Sequence, residues 1–322
     1  MGPALDVSVA FLIFNRPRFT DRVFAAIAGA QPRRLLVVAD GPRPDHPEDE
    51  RLVAQARAVI SRVDWPCEVL TNYSDVNLGC GRRIASGLDW VFESVPEAII
   101  LEDDCLPHPD FFPFCEELLE RYRSDPRVHM ISGANLAGWR GPYSYHFSRS
   151  YHIWGWASWR RAWKYYDFEM RDWPRLRETD WLRRHLRDAR AAQIAELLFN
   201  DTYAGRIRQW DFQWAFSGWL RNAVSIIPST NLVTNIGFGD AATHLRSADH
   251  PFAGLPPEPM AFPLQHPSEV EVCEEADRAA WDRVAARYPQ LRRSAVERAT
   301  DYVSRFPRLV RRLGGSAHAD TT

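Results

Sequence analysis

Five short apolar runs and four amphipathic stripes alternate through the first 132 residues, and this alternation constrains the fold more than any other feature of the chain. Val7 to Ile13, Leu35 to Ala39, Glu68 to Thr71, Ala98 to Leu101 and Val128 to Ser132 have the length and composition of strands. Between them, Phe19, Val23, Ala26 and Ile27 recur at helical spacing, as do Leu52, Val53, Ala56, Val59 and Ile60, and then Ile84, Leu88, Val91 and Phe92. Phe111 to Tyr122 reads as a fourth helix. Turn signals separate them at Arg16-Pro17 and Asp40-Gly41-Pro42, and the second helix is expected to begin near Pro47-Glu48. The pattern predicts an α/β fold with a mostly parallel central sheet and helices on both faces. Ligands of such sheets bind beyond the carboxyl ends of the strands. That rule singles out Asn15-Arg16, Asp40-Gly41, Asp75 to Arg83 and Glu102-Asp103-Asp104, each of which follows an expected strand.

Composition excludes several classes. With 322 residues, 45% hydrophobic and 25% charged, the chain can bury a sizeable core and is not disordered in bulk. No apolar stretch approaches the roughly 20 residues of a bilayer span. Met1 to Val9 has no basic segment ahead of an apolar one, so a cytoplasmic protein is expected. The net charge of -2 argues against a nucleic-acid partner. The five cysteines are odd in number and form no CxxC pair, which points to neither a disulfide framework nor a zinc site.

The pattern changes after residue 138. From Trp139 to Trp173, 13 of 35 residues are aromatic, against 12% in the whole chain. These rings either stack on sugars or form a core, and the core accounts for most of them. A helical, arginine-rich stretch is expected from Trp181 to Leu198, and a strand from Val224 to Ile227. Prolines are dense from Pro251 to Pro267, as in a linker or an extended segment packed on the body. Residues 278–312 carry ten arginines against three acids, and interleaved apolar residues suit either an anionic membrane surface or packing on the body. A disordered tail is expected from Gly314 to Thr322.

Four features carry potential chemistry. Glu102-Asp103-Asp104 places three consecutive carboxylates at a strand end, where they repel one another unless a cation or hydrogen-bond donors neutralise them. A hard divalent ion takes such ligands, whereas a solvated turn capping the next helix is the plainer reading. Gly79-Cys80-Gly81 lacks the third glycine of a dinucleotide fingerprint, Ile84 standing in its place. It suits a tight loop opening a helix, with Arg82 and Arg83 facing either a phosphate or solvent. Asp211, flanked by Trp210, Phe212 and Trp214, is either a carboxylate made basic by burial or an exposed residue at a helix start. His244 is either a metal ligand or structural.

These residues resemble nucleotide-sugar glycosyltransferases of the GT-A fold. Phe14-Asn15-Arg16-Pro17, Ala39-Asp40-Gly41 and Leu101-Glu102-Asp103-Asp104-Cys105 carry the resemblance. The acidic run followed by Pro109-Asp110-Phe111-Phe112 is similar to the metal motif of N-acetylglucosaminyltransferase I-type enzymes. Trp154-Gly155-Trp156-Ala157, Trp210-Asp211 and the segment from Asn235 to His244 look like bacterial family 2-like members.

The resemblance implies a catalytic region over 1–250, with 1–135 as the nucleotide-sugar-binding half and 136–250 as the acceptor half, followed by the proline-rich segment and basic helices of 251–313. It implies that Asp40 contacts the nucleobase or ribose beside Phe14, Asn15 and Arg16. Asn77 and Arg83 would belong to a loop closing over the nucleotide, and Glu102 and Asp103 would complete the donor site. Asp104 and His244 would hold Mn2+ or Mg2+, Asp211 would be the general base, and Trp154, Trp156 and Trp210 would meet the acceptor.

The implied reaction is inverting transfer from a nucleoside diphosphate sugar, with a UDP-linked donor expected, to a glycan, lipid-linked or small-molecule hydroxyl. Peripheral contact with the inner membrane face through 278–313 is a secondary reading. Glu-Asp-Asp in place of the frequent Asp-x-Asp leaves open whether one carboxylate or two touch the metal. The alternatives are a sugar-nucleotide nucleotidyltransferase, which usually has a glycine-rich loop after its first strand, and a non-catalytic nucleotide-sugar-binding module.

Overall fold

The computed structural model describes residues 5–238, 254–286 and 288. The chain runs β1 (Val9–Ile13), α1 (Pro17–Ala30), β2 (Arg34–Ala39), α2 (Asp49–Val59), β3 (Glu68–Tyr73), α3 (Cys80–Ser94) and β4 (Glu97–Glu102). It continues with β5 (Cys105–Pro107), α4 (Phe111–Arg121), β6 (Val128–Ser132), β7 (Tyr145–Ser148), β8 (Trp156–Trp159), α5 (Arg160–Trp163), α6 (Trp173–Leu176) and α7 (Trp181–Leu186). α8 (Ala189–Tyr203), α9 (Asp211–Leu220), β9 (Val224–Pro228), β10 (Val233–Asn235) and α10 (Glu274–Ala285) complete it.

Eight strands form the central sheet in the order β3-β2-β1-β4-β8-β6-β9-β7. β3, β2, β1, β4, β6 and β9 run one way, and only β8 and β7 oppose them. β1 is buried along its whole length, as the strand between two others must be when helices cover both faces. Its side chains alternate: Val9, Phe11 and Ile13 join the layer holding α1 and α4, whereas Ala10 and Leu12 join the layer holding α3 and α9. A third cluster, built from α6, α7, α8 and the outer side of α9, packs Trp173, Phe199, Phe216 and Trp219 together.

The second half contains strands that its sequence hides. β8 enters between β4 and β6, pairing Ile100 with Trp156 and Ser132 with Trp156 on its two sides. Because β8 is antiparallel to β4, the residues leading into it reach the same sheet edge as the carboxyl end of β4. The expected helix from Trp181 to Leu198 is two helices. Arg187 adopts a left-handed conformation at φ 54°, and the Asp188 carboxylate then accepts a hydrogen bond from the Ala191 amide, starting α8 afresh.

The proline-rich stretch lies against the body where it is described, since Met260 and Leu264 are buried in the layer holding α1 and α4. α10 is tied to the sheet through Arg149, which pairs with Glu274 and Asp277. The expected tail from 314 and most of the basic region of 278–313 lie outside the described residues. No helix among the described residues is long and apolar enough to cross a membrane.

The ring of Trp156 lies in the layer holding α3 and α9, against Trp163, Trp210 and Trp214 at centroid separations of 5.5 to 6.3 Å. Replacing it with alanine is expected to lower stability by about 3–5 kcal/mol through lost burial and the cavity left behind. Urea unfolding followed by circular dichroism measures this, and a loss below about 1 kcal/mol would contradict the packing described.

Candidate active site

The carboxyl ends of β1, β2 and β4 open into a cleft of about 910 Å³. Phe14, Arg16, Asp40, Asn77, Arg83, Glu102, Asp103, Asp104, Trp154, Trp210 and Asp211 all line it, so residues up to 197 positions apart converge on one site.

The acidic turn is the most charged part of the cleft. β1 and β4 are adjacent and parallel, with Leu12 opposite Glu102. The turn after β1 therefore meets the turn after β4. One guanidinium nitrogen of Arg16 donates to Asp104 at 2.8 Å and the other to Asp103, while the Phe14 amide donates to Asp103 at 3.2 Å. Burial works against the Arg16 charge, but Asp103 and Asp104 outweigh it and hold the guanidinium above its ordinary pKa. Glu102 accepts no hydrogen bond from a side chain or loop amide among the described residues. Burial, then repulsion from Asp104, Asp103 and Asp211, pushes it well above the usual carboxylate range despite Arg16. Burial also raises Asp103.

Asp40, expected at the nucleobase or ribose, lines the cleft and is tied into its wall. It is 5% exposed, and its carboxylate accepts from the amides of Gly41 (2.9 Å), Leu78 (2.9 Å) and Gly79 (3.1 Å). With these three donors Asp40 shapes the loop that forms the cleft wall. Asn77 continues the same work by donating to the Gly41 carbonyl at 2.8 Å. Arg83 borders the cleft, yet its guanidinium donates to the Ala39 carbonyl and to the carbonyl and side-chain oxygen of Asn72. It ties the ends of β2 and β3 together.

Asn15 does not line the cleft. Its amide donates to Asp49 at 2.7 Å, and the same carboxylate receives Arg43 in a two-pronged pair at 2.6 and 2.9 Å. Arg43, which the sequence reading missed, is thereby held 5.6 Å from the centre of the Phe14 ring. The two form a flat, partly apolar wall with a fixed positive charge.

Asp211 begins α9 and lines the same cleft. Burial lifts its pKa to about 6, against the lowering effect of its own amide and that of Phe212. It is near enough to disfavour ionisation of both Glu102 and the buried Cys80 thiol. Beneath it, Trp156 is wholly buried and does not reach the cleft, which corrects the expected acceptor contact: its ring turns into the layer holding α3 and α9. Trp210 borders the cleft but is 2% exposed, and Trp154 is half-buried there, its ring 5.5 Å from that of Phe238. His244 lies outside the described residues.

Among the described residues, no group of three or more His, Cys, Asp and Glu side chains is placed to hold a metal ion by itself. Glu102 and Asp104 nevertheless fit a hard divalent cation shared with a phosphate ligand, because Glu102 faces the cleft without a donor among those residues. β10 pairs with β5, setting Asn235 opposite Cys105 and the Ile236 amide 2.8 Å from the Asp104 carbonyl. Gly237 then passes so close to Asp104 that a Cβ there would lie 2.5 Å from its Oδ2.

The raised pKa of Asp211 implies a cost in stability. The folded state prefers the protonated acid, so stability falls as pH rises from the unfolded value of about 4 to the folded value of about 6. Asp211→Asn is therefore expected to unfold at higher urea than the native chain above pH 6, by about 2 kcal/mol, with the difference vanishing below pH 4. Urea titrations at pH 4 and pH 8 in EDTA check this, and an equally stable or weaker variant at pH 8 would contradict the burial described.

No protein-family model matches the sequence, and no curated protein matches it. Among solved structures, the chain is similar to a mannosyltransferase from Pyrobaculum calidifontis in complex with GDP-Man and Mn2+, at 15% identity and a TM-score of 0.33. That likeness covers 48% of this chain and 45% of the mannosyltransferase, so it spans less than half of that enzyme. The chain is also similar to mouse xyloside xylosyltransferase 1 in its apo form, at 14% identity and a TM-score of 0.31, over 66% of this chain and 81% of that one. A third likeness is to a UDP-glucose pyrophosphorylase complexed with UDP-glucose, at 10% identity and a TM-score of 0.28, over 49% and 70% of the two chains.

Proposed function

We propose that the chain is a glycosyltransferase of the GT-A type, transferring a sugar with inversion from a nucleoside diphosphate donor to a hydroxyl acceptor. One observation carries this reading: a carboxylate lifted to a pKa of about 6 lines the same cleft as an acidic turn, at the carboxyl edge of the sheet. That arrangement separates a proton acceptor from a place able to receive a leaving diphosphate.

The chain's own groups divide the work. Asp211 takes the proton of the attacking hydroxyl, and burial keeps it basic enough to do so while leaving it ionised at neutral pH. Phe14 and Arg43 offer a flat wall against which a nucleobase packs, with Asp49 fixing the guanidinium plane. Asp40 and Asn77 hold the loop that brings Gly79, Cys80 and Gly81 to the cleft. Those residues open α3, whose unpaired amides and positive dipole end suit a phosphate. Glu102 and Asp104 would hold a divalent ion there, Mn2+ or Mg2+. When bound, the ion would supply charge neutralisation to the departing nucleoside diphosphate. A single raised-pKa base, Asp211, in the cleft that holds the acidic turn supports one displacement and hence inversion. UDP is the donor nucleotide we propose, and Trp154 borders the acceptor side.

The test is nucleoside diphosphate release from a panel of UDP-, GDP- and dTDP-sugars, with Mn2+, Mg2+ or EDTA. We expect metal-dependent release from one donor, lost in Asp104→Ala. With an acceptor found, Asp211→Asn should lower turnover at least about 10²-fold, and the product should have the opposite anomeric configuration to the donor. The native rate should rise about tenfold per pH unit below pH 6 and level off above it, because only ionised Asp211 accepts a proton. Absence of both turnover and nucleotide binding across the panel would overturn the reading.

A further inference from the structure

We infer that Arg16 competes with the divalent cation for the acidic turn, so that the cation binds tightly only together with the nucleotide. This inference rests on the divalent-cation reading proposed above and assigns Arg16 a role that the donor-wall expectation does not contain.

Three observations carry it. First, Arg16 uses separate nitrogens for Asp103 and for Asp104 Oδ2, the carboxylate proposed to hold the cation. A cation approaching Asp104 therefore meets a positive charge already in contact with it. Second, Arg16 is held in place. Its carbonyl accepts from the Phe19 and Thr20 amides at 2.9 Å each and from the Thr20 hydroxyl at 3.0 Å. The Phe19 ring lies 5.9 Å from its guanidinium carbon, and the backbone at Gly237 closes over the ion pair, a Cβ there falling 3.1 Å from Arg16 Nη1. Third, the charges around the turn are unequal. Glu102, Asp103, Asp104 and Asp211 all act on one another or on Glu102, and Arg16 is the cation that opposes them in this cluster.

The consequence follows from Coulomb's law at short range in a partly buried site. Without nucleotide, a divalent ion gains attraction from the carboxylates but loses much of it to the guanidinium a few ångströms away. A nucleoside diphosphate adds negative charge facing both cations, which removes the conflict. Arg16 thus makes cation affinity depend on the nucleotide, and Arg16 acts here as a positioning residue.

The experiment measures Mn2+ binding directly, from the electron paramagnetic resonance signal of free Mn2+ at pH 8. It uses the full chain, native or carrying Arg16→Gln or Arg16→Lys, with and without UDP or GDP. Without nucleotide, Arg16→Gln should bind Mn2+ at least about tenfold more tightly than the native chain. Nucleotide should tighten Mn2+ binding more in the native chain than in this variant. Arg16→Lys keeps the charge but replaces the fork of two nitrogens with a single ammonium, and should bind between the two, which tests the idea should the glutamine variant fail to fold. Mn2+ binding by both variants that is equal to or weaker than native, with native binding intact, overturns the competition and leaves the cation reading standing. No Mn2+ binding by any form, with or without UDP and GDP, overturns both.

Discussion

The bridge from Arg16 to Asp103 and Asp104 is the interaction on which the rest of the site depends. A strand buried on both faces has to end somewhere, and β4 ends in three carboxylates. Left to themselves, those charges would force the strand end apart or into water. The register of β1 beside β4 places Arg16 within reach of two of them, and Asp103 takes a further donor from the Phe14 amide. With that charge in place, Gly237 can close over Asp104 and β10 can pair with β5, so the second half of the chain is seated on the first. The same contact is therefore a fold constraint and an electrostatic setting of the cleft.

Much of the frame was legible because parallel strands between two helical layers must be apolar on both sides, and runs such as Leu35 to Ala39 advertise it. β7 and β8 were not, since four-residue strands rich in aromatic residues look like any packed loop, and β8 finds its place only when β4 and β6 lie on either side. At the site, Asp211 stood out through its aromatic neighbours, and burial does raise it. The loop-holding contacts of Asp40 were hidden because its partners, the Leu78 and Gly79 amides, are distant in sequence and carry no signature of their own. Arg43 and Asp49 were hidden for the same reason: their pairing is visible only once α2 folds back beside the turn after β1. Trp156 shows the limit of reading an aromatic belt without phase, since a shift of one residue along β8 would turn its ring to the opposite face of the sheet.

Beneath Asp211 lies a bed of rings formed by Trp156, Trp163, Trp210 and Trp214, with Tyr166 stacked on Trp163 at 4.2 Å. Rings packed at this density hold a helix start more firmly than flexible side chains would. Tyr166 also donates to the Trp210 carbonyl at 3.1 Å, fixing the residue immediately before Asp211. The apolar bed seats the start of α9 and takes from Asp211 part of the water that would otherwise return its acidity to normal.

The insertion of β8 between β4 and β6 also has a consequence for how the chain is made. A polypeptide leaves the ribosome from its amino end, and once Ser132 has emerged every strand from β1 to β6 is available. β6 nevertheless has only β8 and β9 as neighbours, so it has nothing to pair with until Trp156 and the residues after it appear. Until then β4 presents a bare apolar edge, the kind of surface that recruits other nascent chains. The amino-terminal part of the sheet thus comes first in sequence but cannot be finished first, and a chain cut between β6 and β8 would leave β4 with an open edge.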